Sequence, residues 1–247
     1  MSYSTRRRWM IGGLAGASGV AAGKIAGAYG LMPPDGRGLY GPGHALTYGA
    51  QRLLTGDAPA REFPREKISR QPFANGGPRK DAKYLEHQAA GFAGWRMAID
   101  GMVARPMTLS VAQVKAYPAH SQITSLTCEE GWSYIAEWTG ARLADLLDAA
   151  GAGAEAKYVV YYSDQTGWME SIDIGEARHG QTFVAYGMNG GELPPAFGGP
   201  LRMRLPRQLG YKSVKYLTRI HVTDDLAKVA TAGSGSVAEG YQWYAGI

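Results

Sequence analysis

One cysteine, Cys128, is all that the 247 residues contain, which excludes an intramolecular disulfide and any cysteine-built zinc or iron–sulfur cage. Also missing are the metalloprotease HExxH spacing, the GxSxG nucleophile elbow and the glycine loops that cradle nucleotide phosphates. The chain shows no internal repeat, no heptads and no low-complexity tract beyond its N-terminus, so solenoids and coiled coils are excluded. No stretch after that N-terminus has the roughly 20 consecutive apolar residues that span a bilayer. Acidic residues are absent from positions 1–28, which hold Arg6, Arg7, Arg8 and Lys24; the remainder is nearly balanced in charge. The net charge of +5 is therefore largely a property of the N-terminus, and a nucleic-acid partner is not expected.

What is present is a globular composition, 45% hydrophobic and 19% charged, with enough chain for a sizeable core. The first residues read as an address. Thr5-Arg6-Arg7-Arg8-Trp9-Met10 places paired arginines before a weakly hydrophobic Gly/Ala stretch, Ile11 to Ala22, and the small residues Ala26-Gly27-Ala28. This resembles a twin-arginine export signal over residues 1–28, which implies a periplasmic protein exported already folded, and so one able to carry a cofactor inserted beforehand.

Residues 29–85 are rich in Gly, Pro and charge and read as an N-terminal arm with one short helix near Leu46 to Leu54. From Trp95 the period becomes two, and Asp100-Gly101 marks a hairpin turn into Met102-Val103. Ser110 with Gln113 forms a capping box for a helix ending before Pro118. Leu143, Leu146 and Leu147 share a helical face that Gly151 closes. Tyr158 to Tyr162 lacks polar alternation, as a central strand does, and Val214 to Val222 is a second β-rich run. The expected fold is α+β, mixed sheets with flanking helices in a single compact domain: a core over 86–226 and a C-terminal tail, 227–247, packed on it.

Two groups of residues suggest chemistry. Cys128 lies in the polar, turn-prone Ser125-Leu126-Thr127-Cys128-Glu129-Glu130-Gly131-Trp132-Ser133, unlike a packing cysteine among aliphatics. Glu129 and Glu130 should raise its pKa and handicap it as a free nucleophile, whereas a bound cation would deprotonate it outright; structural and functional readings both stand. Arg202, Arg204, Arg207, Lys212, Lys215 and Arg219 form a basic cluster with no acid between Glu192 and Asp224. It is either a solvated face or an anion site, and Arg202 and Arg204 share one face of a strand. Of the five histidines only His179 lies in a loop near these motifs.

Four segments in order resemble the oxidoreductase molybdopterin-binding family, which includes sulfite oxidase and the periplasmic methionine sulfoxide reductase catalytic subunit. They are Cys128 to Ser133; Ala185-Tyr186-Gly187-Met188-Asn189-Gly190 with Leu193-Pro194-Pro195; Gly198-Gly199-Pro200-Leu201-Arg202; and Gly210-Tyr211-Lys212-Ser213-Val214-Lys215. The closing Gly240 to Ile247 is similar to the end of a bacterial exported subgroup. The resemblance implies a sulfite-oxidase-like molybdopterin-binding fold and a mononuclear molybdenum on molybdopterin, with Cys128 as the protein's metal ligand. It implies cofactor contacts from Asn75, Ser163, Arg202, Ser213, Val214 and Lys215, and a carboxylate at Glu130 serving as proton relay or structural hydrogen bond. It further implies oxygen-atom transfer or coupled electron and proton transfer, with a membrane haem subunit or cytochrome c as electron partner and a small-molecule or sulfoxide substrate. Two departures stand out. Phe197 occupies a position where relatives carry His or Asn, and Cys128 does not continue into the Cys-x-x-x-Arg of true sulfite oxidases. The reading therefore leans to a reductase-like enzyme. Its rivals are a Cys128 hydrolase using His179 or His221, and an exported non-catalytic module binding an anion or pterin.

Overall fold

A computed structural model describes residues 33–35, 40–165 and 167–247. Residues 1–28, read above as resembling an export signal, lie outside the described residues. The chain divides into two units, Met1–Gly56 and Asp57–Ile247. In the first, helix α1 spans Gly41–Thr55, with a proline in its opening turn where the missing N–H has no partner to lose. It therefore starts five residues earlier than the expected Leu46. Residues 57–85, read as part of the arm, fall in the second unit, where Phe63 N donates to Ile123 O at 2.9 Å and Ser69 N to Ile135 O at 2.9 Å.

The second unit runs α2 (Ala82–Ala89), β1 (Arg96–Gly101), β2 (Met107–Ser110), α3 (Val111–Lys115), β3 (Ala119–Thr127) and β4 (Ser133–Arg142). There follow α4 (Leu143–Ala150), β5 (Tyr158–Ser163), β6 (Met169–Asp173), α5 (Ile174–Arg178), β7 (Phe183–Met188), β8 (Gly191–Glu192), β9 (Arg202–Arg204), β10 (Leu217–Thr223) and α6 (Gly235–Ala238). Two sheets of five strands result. One has the order β2-β1-β10-β5-β6; the other is β3-β4-β7-β8, with β9 also paired to β7. This is the expected α+β arrangement of mixed sheets with flanking helices. Among the described residues no helix is long and apolar enough to cross a membrane.

Local chemistry explains the elements. The Ser110 hydroxyl accepts from Gln113 N at 3.2 Å while the Gln113 side chain accepts from Ser110 N at 2.9 Å, completing the capping box that starts α3. Helix α4 buries Leu143, Leu146 and Leu147 and ends at Gly151 in the left-handed conformation. Its leucines join Met97, Ile99, Val159, Tyr161, Ile220 and Val222 of the first sheet and Val184 of the second in one continuous core. Strand β5 is interior to its sheet, as the unbroken apolar run requires.

The hairpin expected at Asp100-Gly101 forms differently. Strand β1 continues through Gly101 to pair in parallel with β10, Gly101 opposite Val222, and only then turns towards β2. Gly101 serves close approach instead of reversal, since a Cβ there would lie 2.2 Å from the Val222 carbonyl oxygen at a φ of +88°. Gly101→Ala should accordingly destabilise the protein by more than about 1 kcal/mol, read as a lower urea midpoint at unchanged slope.

Candidate active site

The hairpin joining β3 to β4 places Cys128 at the wall of a cavity of about 380 Å³, with Cys128 N donating to Trp132 O at 3.0 Å to close the turn. The thiol is nearly buried and donates to Glu129 Oε2 at 3.0 Å, with Glu130 Oε2 3.8 Å away. Burial, first, and the hydrogen bond and charge of Glu129 push the thiol up to about 12. Left to itself it is a poor nucleophile, and only a cation beside it would reverse that state.

Glu130 has a defined task. Its Oε2 accepts from Asn75 Nδ2 at 2.9 Å and from Trp132 Nε1 at 2.6 Å, fastening the segment around Asn75 to the cysteine loop. Phe73 packs on Trp132 at 5.1 Å across the same junction.

The same cavity has basic lining residues. Arg202, 4% exposed, donates to Ser213 O at 3.0 Å and Phe197 O at 2.9 Å. Lys215 Nζ donates to Asn75 O at 2.7 Å and Ala196 O at 2.6 Å. Burial, first, and the neighbouring Arg202 push Lys215 down to about 7. Burial lowers Arg202 also, and among the described residues no carboxylate offsets either cation. Gly198 makes room for this lysine: at φ +102° a Cβ would sit 2.7 Å from Lys215 Cβ.

The basic cluster read in the sequence is thus dispersed by the fold. Arg202 and Arg204 do share a face, their guanidiniums 5.4 and 5.2 Å from the Trp138 ring centroid, but Arg204 turns to Thr124 and does not line the cavity. Lys212 pairs with Glu170 at 2.8 Å, Arg207 lies 3.6 Å from Glu176, and Arg219 chelates Asp100 at 2.7 and 3.0 Å. Neither a solvated face nor a six-residue anion site forms; two of the six face the cavity.

Of the residues implied by the resemblance, Cys128, Glu130, Asn75, Arg202, Ser213, Val214 and Lys215 line this one cavity. Ser163 does not. Its hydroxyl accepts from Gln165 N at 3.0 Å and its N donates to Trp168 O at 3.0 Å, so it closes the turn that presents Gln165 and Trp168. Sequence reasoning passed over Arg79, which lines the cavity and is held by Asp81 and Asp164, each at 2.6 Å. It also passed over Glu239 and Tyr241, although Tyr241 stands in the C-terminal segment already noted. The histidines are elsewhere. His179 meets Asp57 O at 3.2 Å and His221 meets Asp100 at 2.6 Å, so neither pairs with Cys128 and the hydrolase arrangement does not form.

Among the described residues no three His, Cys, Asp or Glu side chains converge to hold a metal ion. A metal at Cys128 would therefore draw its other ligands from outside the chain. A cofactor carrying its own sulfur ligands and an anionic phosphate fits both demands of this cavity, a lone thiol and two basic side chains, Arg202 and Lys215, without a carboxylate partner.

The chain belongs to the oxidoreductase molybdopterin-binding domain family, whose model matches residues 85–229. It is similar to a putative protein-methionine-sulfoxide reductase subunit of Azospira oryzae, 32% identical over 184 residues that cover 74% of this chain and 66% of that one. A protein-methionine-sulfoxide reductase catalytic subunit of Campylobacter jejuni is 31% identical over 169 residues, covering 62% of this chain and 56% of that one. The chain thus spans 56–66% of the length of these two relatives. Among solved structures, the sulfane dehydrogenase SoxCD of Paracoccus pantotrophus shares the fold with a TM-score of 0.52 at 20% identity, over 53% of this chain and 39% of that one.

Lys215 gives the folded protein a measurable pH dependence. Its amine is held near 7 in the folded protein and titrates near 10.5 when unfolded, so between these values the unfolded chain binds the extra proton. The contribution of Lys215 to stability should rise with pH from about 7 to about 10. Lys215→Met should flatten that part of the curve of urea midpoint against pH in cofactor-free protein.

Proposed function

We propose that this chain is the catalytic part of an exported molybdenum–molybdopterin oxidoreductase that removes oxygen from a sulfoxide-type substrate, drawing electrons from a separate protein. The observation that carries the reading is the convergence, on one cavity, of the only cysteine with a buried Arg202 and a half-buried Lys215, neither of them paired with a carboxylate. The names borne by the two methionine-sulfoxide reductase relatives support the substrate class, and the absent Cys-x-x-x-Arg arrangement argues against an oxyanion substrate such as sulfite.

In this proposal Cys128 ligates the metal, and Arg202 and Lys215 hold the pterin phosphate while Ser213 and Val214 shape the wall beside it. Glu130 and Asn75 fix the ligand loop against the preceding segment. When bound, the cofactor supplies a metal centre that exchanges two electrons and accepts or releases one oxygen. The reaction balances as sulfoxide plus two electrons plus two protons giving sulfide and water. The chain carries no haem attachment motif, so a membrane haem subunit or a cytochrome c is proposed as the electron donor. Paired Arg6 and Arg7 support twin-arginine export to the periplasm.

Protein from a host with intact export and molybdopterin synthesis should contain molybdenum near one atom per chain. Cys128→Ser should lose the visible absorption of the metal–thiolate bond and viologen-driven sulfoxide reduction. Arg202→Met should retain the pterin at least about tenfold less well, as expected for losing a charge-assisted hydrogen bond. Well-folded wild-type protein lacking both metal and pterin would overturn the proposal. It would leave the binding module in front, a reading favoured by Phe197, whose ring packs on Tyr134 at 5.8 Å and offers the cavity no polar group.

A further inference from the structure

The family model ends at residue 229, yet the chain beyond it builds one wall of the cavity. Two anchors hold that wall. At one end Ser234 Oγ donates to Glu170 Oε2 at 2.7 Å and Ser236 N to Glu170 Oε1 at 2.9 Å, and Glu170, fully buried, also receives Lys212 Nζ. At the other, Trp243 Nε1 donates to Ser171 Oγ at 2.8 Å, and Gln242 O accepts from the Tyr211 hydroxyl at 2.7 Å. Between them Tyr241 N returns to Ser236 O at 3.0 Å, and the Tyr241 ring lies 5.3 Å from that of Tyr211.

The span so fixed presents Glu239 and Tyr241 to the cavity that Glu129, in contact with the Cys128 thiol, also lines. Glu129, Glu130 and Glu239 line this cavity together with Cys128, and Glu129, most of all, then burial, Glu239 and Glu130 raise the pKa of the Tyr241 phenol. Aromatic faces of Trp132, Trp168 and Tyr211 line the same cavity. Carboxylates with aromatic rings favour cations and repel anions. Of the cations in the cavity, Arg79 is held by Asp81 and Asp164, and the pterin phosphate proposed above would meet Arg202 and Lys215, which leaves the carboxylates to set the charge beside Cys128.

We propose that the C-terminal wall, through Glu239 and Tyr241 together with Glu129, selects the substrate by charge. The place beside Cys128 takes neutral or cationic S-oxides, such as a sulfoxide flanked by basic residues, and turns away oxyanions. This substrate class rests on the oxidoreductase reading above; the charge selection at Cys128 can be measured without it.

Full-length chain from a host unable to make molybdopterin offers a single thiol to methanethiosulfonate probes bearing either a trimethylammonium or a sulfonate group. The ratio of the two labelling rates cancels the acidity of the thiol itself. That ratio should fall about threefold in Glu239→Gln and about tenfold in Glu239→Lys, the scale of local charge steering. With loaded enzyme, Glu239→Lys should raise KM for a lysine-flanked methionine sulfoxide peptide and lower it for a glutamate-flanked one, molybdenum being assayed on the same samples. Equal probe ratios in all three proteins, or no labelling of the native chain by either probe, would overturn the charge selection even with molybdenum fully loaded. Absence of molybdenum would defeat the oxidoreductase reading and the substrate class with it, while a shifted probe ratio would still establish the selective wall.

Discussion

A buried guanidinium and a half-buried amine, set against neutral oxygens with no carboxylate beside them, are the constraint around which the cavity is organised. Taking a guanidinium or an ammonium out of water costs several kcal/mol unless an opposite charge meets it. Arg202 and Lys215 are met by carbonyls, which hold them in place without neutralising them. The rest of the fold makes this arrangement affordable: Trp138 packs beneath Arg202, Gly198 clears space beside Lys215, and the neighbouring cations are each tied to a partner elsewhere. Stability is spent there on readiness for an anion.

A second division of charge runs through the same space. Glu129 and Glu130 flank Cys128, where they disfavour a free thiolate and suit a metal-bound one. The cavity is thus prepared for a ligand with two unlike ends, one anionic and one cationic in character. A hydrolase would need a base next to the sulfur, and the histidines are committed to Asp57 and Asp100.

How much of this was legible in the sequence follows from the range of each interaction. The capping box at Ser110, the leucine face of α4 and the apolar run of β5 are local patterns, and each appears where its spacing placed it. Asp100-Gly101 has the chemistry of a turn, but its partner is Val222, a long-range pairing that no local pattern announces. The basic cluster was misleading for the same reason: the acids that neutralise Lys212, Arg207 and Arg219 come from β6, α5 and β1. Cys128, Arg202 and Lys215 were legible through resemblance. Glu239 and Tyr241 reach the cavity only because Glu170, some 70 residues away in sequence, anchors their segment.

The parallel pairing of β1 with β10 has a bearing on the order of assembly. Between those two strands lies most of the second unit, and the sheet that backs the cavity has a gap at its centre until β10 enters between β1 and β5. The last wall arrives later still, with Glu239 and Tyr241. A chain still emerging from the ribosome therefore has no closed chamber to offer, whatever ligand is at hand. Any ligand of this cavity meets a wall that can form only after β10 has completed the sheet.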